Sequence, residues 1–193
     1  MNNRILSPDT FTVKQVKQSP QCRYYKINLM VSSIIFGFLV LFLSMSFLLP
    51  FAVAGGDNPD GVMLTFGLVF EMILAAVFIP FIVYYVVRYR RVLSSVGKLP
   101  IYRVTLDKPQ GSYWFRTIYY TVSFNHDGQN VTVDTTALFS PFVWLWGIPM
   151  NEYNNKDVYV YYDAERESVY VIGKVDDFPW ICRETEQDTK QYL

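Results

Sequence analysis

The sequence predicts a membrane α + β protein: a two-helix transmembrane hairpin followed by a small antiparallel β-domain of about five strands, either barrel-like or a rolled sheet. Three observations predict it. Two apolar runs, Ile27–Ala54 and Val62–Val87, each exceed the roughly 20 residues that span a bilayer core. Lysine and arginine flank both runs and are missing from the connection "GGDNPDG" between them. Beyond Leu99 the chain changes to short stretches of alternating apolar and polar residues, the period of a strand with one face buried.

The net charge of zero over 193 residues hides a segregation. Arg4, Lys14, Lys17, Arg23 and Lys26 stand against Asp9 alone before the first run, and Arg88, Arg90, Arg91 and Lys98 follow the second. From Leu99 onward, 8 Lys/Arg face 13 Asp/Glu, so the β-domain is acidic and unsuited to nucleic acid, whose phosphates require clustered positive charge. The positive-inside rule places both termini in the cytoplasm and the hairpin connection outside. The parts in order are a basic cytoplasmic tail (1–26), the hairpin (27–88), a cytoplasmic β-domain (99–175) and an acidic C-terminal tail (176–193). The first run is too long, and too closely followed by a second, for a cleaved signal peptide. The rest of the chain is too small to wrap two such helices as the core of a soluble protein. The sequon Asn130-Val131-Thr132 never meets the glycosyltransferase under this topology.

At the far end of the second run, Tyr84, Tyr85 and Tyr89 match an interfacial aromatic belt, and Arg88, Arg90 and Arg91 can reach anionic headgroups of the inner leaflet. Cys22 and Cys182 form no metal or disulfide pattern and read as free thiols; Cys22 is near enough to the membrane for S-acylation. In the β-domain "IYRVTL" reads as the first strand. In "TIYYTVSF", Ile118, Tyr120, Val122 and Phe124 share one face. Asp127-Gly128 supplies hairpin-turn chemistry before the return strand "VTVDTTALF". "DVYVYYD" places Val158, Val160 and Tyr162 on one face, and "SVYVIG" closes a second hairpin after "AERE".

The spacing Tyr120-x-Val122-x-Phe124-x-x-x-Gly128, followed by Val158-x-Val160-x-Tyr162-Asp163, resembles an uncharacterised family of membrane proteins (a domain of unknown function). Its members combine a hydrophobic helical hairpin with a small β-domain ending in V-x-V-x-Y-D-P-x-x-P. The resemblance covers about residues 99–173, with Ala164 and Glu167 standing where the motif has prolines. It implies the fold and no particular reaction.

Catalytic patterns are missing: no HExxH, no glycine-rich phosphate loop and no Cys/His metal spacing occurs. His126, the single histidine, adjoins a turn, where histidines are ordinarily solvated. No enzyme activity and no cofactor are expected. The acids Asp176 and Asp177 read as a solvated tail. Glu71 is the most unusual residue, because a charge at the bilayer centre costs about 2.5–3.5 kcal/mol on insertion scales. Antiparallel spans with Asn28 level with Val87 set Ser44 beside Glu71 and Ser46 half a turn away. Glu71, Ser44 and Ser46 are therefore the candidate intramembrane polar site. Ser33 and Gly37 are small enough to let a helix approach, and Pro80 should kink the second span.

The loop "SPFVWLWGIPM" (140–150) is too short, and too bounded by Pro141 and Pro149, to cross as a helix. Its large apolar surface needs a cover: the domain's own core, the bilayer or a partner protein. Phe142, Trp144, Leu145 and Trp146 are accordingly candidate membrane-interface or partner contacts, with Tyr84, Tyr85, Arg88, Arg90 and Arg91. The expected function is a non-enzymatic integral membrane protein whose β-domain binds, scaffolds or regulates a membrane complex. The expected partners are the lipid bilayer and another membrane protein or a second copy. The alternative is an oligomeric transport or channel subunit using Glu71.

Overall fold

The computed structural model describes residues 5–53, 61–107, 109–112, 117–138 and 152–181. The elements before the β-rich region are β1 (Ile5–Leu6), α1 (Val13–Lys17), α2 (Pro20–Val53) and α3 (Gly61–Ser94). Then follow β2 (Ile101–Leu106), β3 (Pro109–Ser112), β4 (Thr117–His126), β5 (Gln129–Asp134), β6 (Lys156–Asp163) and β7 (Ser168–Lys174). The chain divides into two compact units, Tyr25–Arg88 and the combination of Met1–Tyr24 with Tyr89–Leu193.

The first unit is the helical hairpin. Its helices contain stretches, Pro20–Ser46 and Gly67–Ser94, long and apolar enough to cross a membrane. Ile34, Phe38, Leu41, Met72, Ile73 and Phe81 are all exposed, whereas a helix of a soluble core turns its apolar stripe inward. The helices meet along an antiparallel seam. Phe36 stacks on Phe78 with ring centroids 5.7 Å apart, and two turns further along α2 the side chain of Ser44 reaches Glu71 of α3. The helix α3 continues through Pro80, which membrane helices tolerate when neighbouring groups satisfy the freed carbonyl.

In the second unit six strands follow the helices, in two antiparallel sheets of three. The two-residue β1 adds a fourth strand to the first sheet, giving the order β1-β2-β6-β7; the second sheet is β3-β4-β5. The expected count of about five omitted β3. Pro109 and Gly111 disguise it as a loop, but among the described residues β3 pairs only with β4, and an edge strand accommodates a proline that cannot donate to a ladder. The β4–β5 turn has positive φ at both central residues, Asp127 at 51° and Gly128 at 83°, as a two-residue hairpin requires. Asn125 Oδ1 accepts from the Gly128 amide at 2.9 Å.

The alternation read from β4 is the burial observed. Tyr120, Val122 and Phe124 are buried in one core with Tyr102 and Val104 of β2, Val158, Val160 and Tyr162 of β6, and Val169 and Val171 of β7, while Ile118 packs at its edge. The return strand is shorter than "VTVDTTALF" suggested. After Asp134 the regular ladder ends, although the Thr135 amide still donates to the Tyr120 carbonyl of β4 at 2.7 Å, and Thr135 forms a parallel bridge with Val169 of β7. The Thr135 hydroxyl accepts from the Tyr120 amide at 2.9 Å, so a side chain takes over where the ladder stops.

The strand β6 was expected to be buried on one face, yet Tyr159 and Tyr161 are as buried as Val158 and Val160. The N-terminal segment covers this second face. Phe11 meets Phe178 edge-on at 4.8 Å and Tyr159 at 5.6 Å. The Gly97 amide donates to the Pro8 carbonyl at 3.3 Å, and Gln21 Nε2 donates to the Ala137 carbonyl at 3.0 Å. The residues whose charge suggested a tail thus contribute a strand, a capped helical turn and an aromatic plug to the β-unit. Thr12 caps α1 in a reciprocal box with Gln15, satisfying amides that the helix leaves free. Cys22 is fully buried here, which removes it from reach of acylation in this conformation.

Candidate functional site

The polar pair in the hairpin is built by helical register. Ser44 Oγ donates to Glu71 Oε1 at 2.8 Å, and both side chains are partly buried in the seam. Stepping along antiparallel helices from their outer ends places these residues at one level. Ser46 does not join them: it is exposed, and its hydroxyl donates to the Phe42 carbonyl of its own helix at 2.7 Å. Ser33 likewise donates back to Leu29, at 2.8 Å. Gly37 is exposed, and a Cβ added there would meet nothing within 4 Å. The small pair Ser33 and Gly37 is therefore not the close contact of the hairpin. The Phe36–Phe78 stack fills the seam at that depth, and the space over Gly37 opens outward.

At the end of α3, Tyr84 and Tyr85 meet edge-on with centroids 5.4 Å apart, and the Arg88 guanidinium lies 5.4 Å from the Tyr84 ring centre. A cation over an aromatic face is attracted by its quadrupole, and among the described residues Arg88 has this ring and no acid as its partner. Arg90 is exposed and Arg91 half-buried; the Arg91 carbonyl accepts from the hydroxyls of Ser94 and Ser95.

Phe142, Trp144, Leu145 and Trp146 lie outside the described residues, as does the acidic tail beyond Ile181. The chain on either side of the tryptophan loop is anchored in the β-unit. Leu138 is buried, and its amide donates to the Ile118 carbonyl at 2.9 Å. On the far side, Glu152 pairs with Lys174 at 2.8 Å, and the Tyr120 hydroxyl donates to Asn154 Oδ1 at 2.8 Å. Lys174 Nζ also sits 5.3 Å from the Tyr153 ring centre. Burial pushes the Tyr153 phenol well above the usual tyrosine range, and Glu152 and Asp177 add to the shift. Burial alone pushes Tyr120 up to about 12.

Sequence reasoning missed one cluster. His126 is not a solvated turn residue: Nδ1 lies 2.6 Å from the Tyr102 hydroxyl, and its ring meets Tyr162 edge-on at 5.0 Å. Asp127 Oδ2 is 3.6 Å from Nε2. Burial, and then the nearby Asp127 and Tyr162, raise the Tyr102 phenol. The even spacing of His126 from Phe124 along one face was the available signal, and the turn beside it masked that signal. This cluster ties the end of β4 to β2 and β6. Among the described residues no three His, Cys, Asp or Glu side chains converge as metal ligands do.

The fold and these groups define a class: a hairpin of two membrane-length helices carrying a two-sheet β-unit. No family model, curated protein or solved structure matches the chain. One local feature bears on the resemblance to the V-x-V-x-Y-D-P-x-x-P motif. Glu167, where the motif has its second proline, has φ of 47°, which a pyrrolidine ring locked near −65° cannot adopt. The β6–β7 turn is instead held by Arg166, whose Nη1 donates to the buried Asp163 carboxylate at 2.9 Å.

Proposed function

We propose that this chain is a non-enzymatic integral membrane protein. In this reading α2 and α3 span the bilayer, both termini are cytoplasmic, and the β-unit is a binding, scaffolding or regulatory module for a membrane complex. The observation that carries the reading is the exposure of the hairpin's apolar side chains. Phe38 is 66% and Met72 71% exposed, and such a surface is stable only against lipid or protein. Tyr84, Tyr85 and Arg88 fit the headgroup level, and Arg90 and Arg91 fit an anionic inner leaflet as a lipid partner. The tryptophan loop would meet the membrane surface or the partner complex. The rival reading, an ion path lined by several copies of Glu71, predicts a flux that Glu71→Gln abolishes.

Three measurements test the proposal. The chain should stay with membranes through alkaline carbonate washing. Expressed in a eukaryotic host, it should also remain unglycosylated at Asn130, an exposed position on β5. Release by carbonate would end the spanning reading; a glycan on Asn130 would invert the topology. Purification in mild detergent should recover a stoichiometric membrane partner or a homo-oligomer, and a monomer under every condition would remove the binding role.

A further inference from the structure

We infer that the hairpin is a self-association surface: a second copy of this chain docks on the Gly37–Ser44 flank of α2, where the Glu71 carboxyls of the two copies meet. The inference rests on the spanning reading above. A groove runs along α2, lined by Phe36, Gly37, Val40, Leu41, Ser44 and Met45. Its floor at Gly37 is bare backbone, where an added Cβ would meet nothing within 4 Å. One end of the groove is Ser44, whose hydroxyl holds Glu71 Oε1. Ser44 thus links the groove to the Glu71 carboxyl, whose other oxygen, Oε2, has no hydrogen bond among the described residues.

The identity of the occupant follows from that second oxygen. Hydrocarbon offers no donor or acceptor, so polar groups within it find protein partners. A carboxyl that holds its proton carries one donor and spare acceptor capacity, so two such groups would satisfy each other reciprocally. Two copies inserted in the same sense, related by a twofold axis along the membrane normal, bring each residue to the depth of its own counterpart. An isologous interface of this kind sets a patch against itself. A second copy thus supplies a matching carboxyl at the depth where one is needed, and its Gly37 faces the first at the depth where backbones can approach. Small residues at such a crossing allow close packing of membrane helices. Any other partner would have to present a polar side chain at that one level by coincidence.

The test is energy transfer between donor- and acceptor-labelled full-length chains in phosphatidylcholine liposomes, followed as lipid dilutes the protein. Carbonate extraction of the same liposomes comes first, because release there ends the spanning reading, whereas a retained monomer ends only this inference. The wild type should transfer above the random-proximity level and persist on dilution. Glu71→Gln, whose amide is also self-complementary, should stay within about twofold of the wild type. Glu71→Leu should weaken association roughly 3- to 20-fold, the range of one interhelical hydrogen bond. Gly37→Ile, which fills the groove floor, should abolish transfer at the same ratios while helical circular dichroism is unchanged. A dimer indifferent to Glu71→Leu or to Gly37→Ile overturns the inference. So does equal weakening by Gln and Leu at position 71, which removes hydrogen bonding as the cause.

Discussion

The hairpin and the β-unit bury opposite things. Between Tyr25 and Arg88 the apolar side chains Ile34, Phe38, Leu41 and Met72 point outward, and the partly buried seam holds a Ser44–Glu71 hydrogen bond. In the β-unit the enclosed groups are Tyr102, Tyr120, Phe124, Tyr161 and Tyr170, while Ser123 and Thr132 face out and bond to each other at 2.9 Å. The difference teaches that burial is defined by the surroundings. Against water, removing apolar surface drives folding. Against lipid, where the proposed function puts the hairpin, there is no such drive between helices, so packing and a few polar contacts would decide how they associate.

The comparison breaks most directly with one phenylalanine from each unit. Phe124→Ala should cost about 3–5 kcal/mol, the range for deleting a buried aromatic side chain. Phe38→Ala should leave stability unchanged within about 0.5 kcal/mol, as at other exposed positions. Denaturation in detergent, followed by near-ultraviolet circular dichroism, measures both. Equal losses would mean that Phe38 is covered.

Alkali tests the aromatic interior next. Burial lifts Tyr120 from 10.0 to about 12, and burial with nearby Asp9 does the same for Tyr161. Folding therefore favours the neutral phenols. Their contribution is fully present below pH 10, starts to fall as the unfolded chain ionises, and is lost as pH rises through about 12. Phenolate absorbance should rise in step with unfolding. Free titration near pH 10 in the folded protein would contradict the burial.

Gly173→Ala probes packing on the outer face. An added Cβ would lie 2.8 Å from the Phe178 ring, which is itself held edge-on by Phe11. Overpacking of this kind costs about 1–3 kcal/mol, and a double variant with Phe178→Leu should recover part of it. In the hairpin, Ser44→Ala should cost about 0.6–1.7 kcal/mol, as interhelical hydrogen bonds do, by detergent denaturation of its helical signal. The smallest expected effect is Tyr170→Phe. Its hydroxyl is buried without a hydrogen-bond partner among the described residues, so removing it should be neutral or stabilising by up to about 1 kcal/mol. A large loss would expose a partner for that hydroxyl.

Much of this contrast was legible in the chain. The two apolar runs, the alternation of Ile118 to Phe124 and the pairing of Val158, Val160 and Tyr162 are periodic signals carried by neighbours in sequence. The Ser44–Glu71 level followed because two antiparallel helices of fixed rise have one free register, set by their ends. The strand β3 was hidden because Pro109 and Gly111 signal a turn locally, and only the edge position makes them acceptable. The Tyr102–His126 contact joins strands whose separation in sequence carries no period at all. The Ser33–Gly37 pair suggested close packing, and the neighbouring Phe36–Phe78 stack decided against it within the hairpin.

By itself the sequence determined the two long helices, five of the strands and two runs apolar enough to cross a membrane, because composition and period act over a few residues. The tertiary structure alone decided that the N-terminal segment returns to cover the second face of β6, that His126 is tied to Tyr102, and that Gly37 looks outward. Each of these depends on which distant surface arrives to fill a space, and that is settled by the packing of the whole unit.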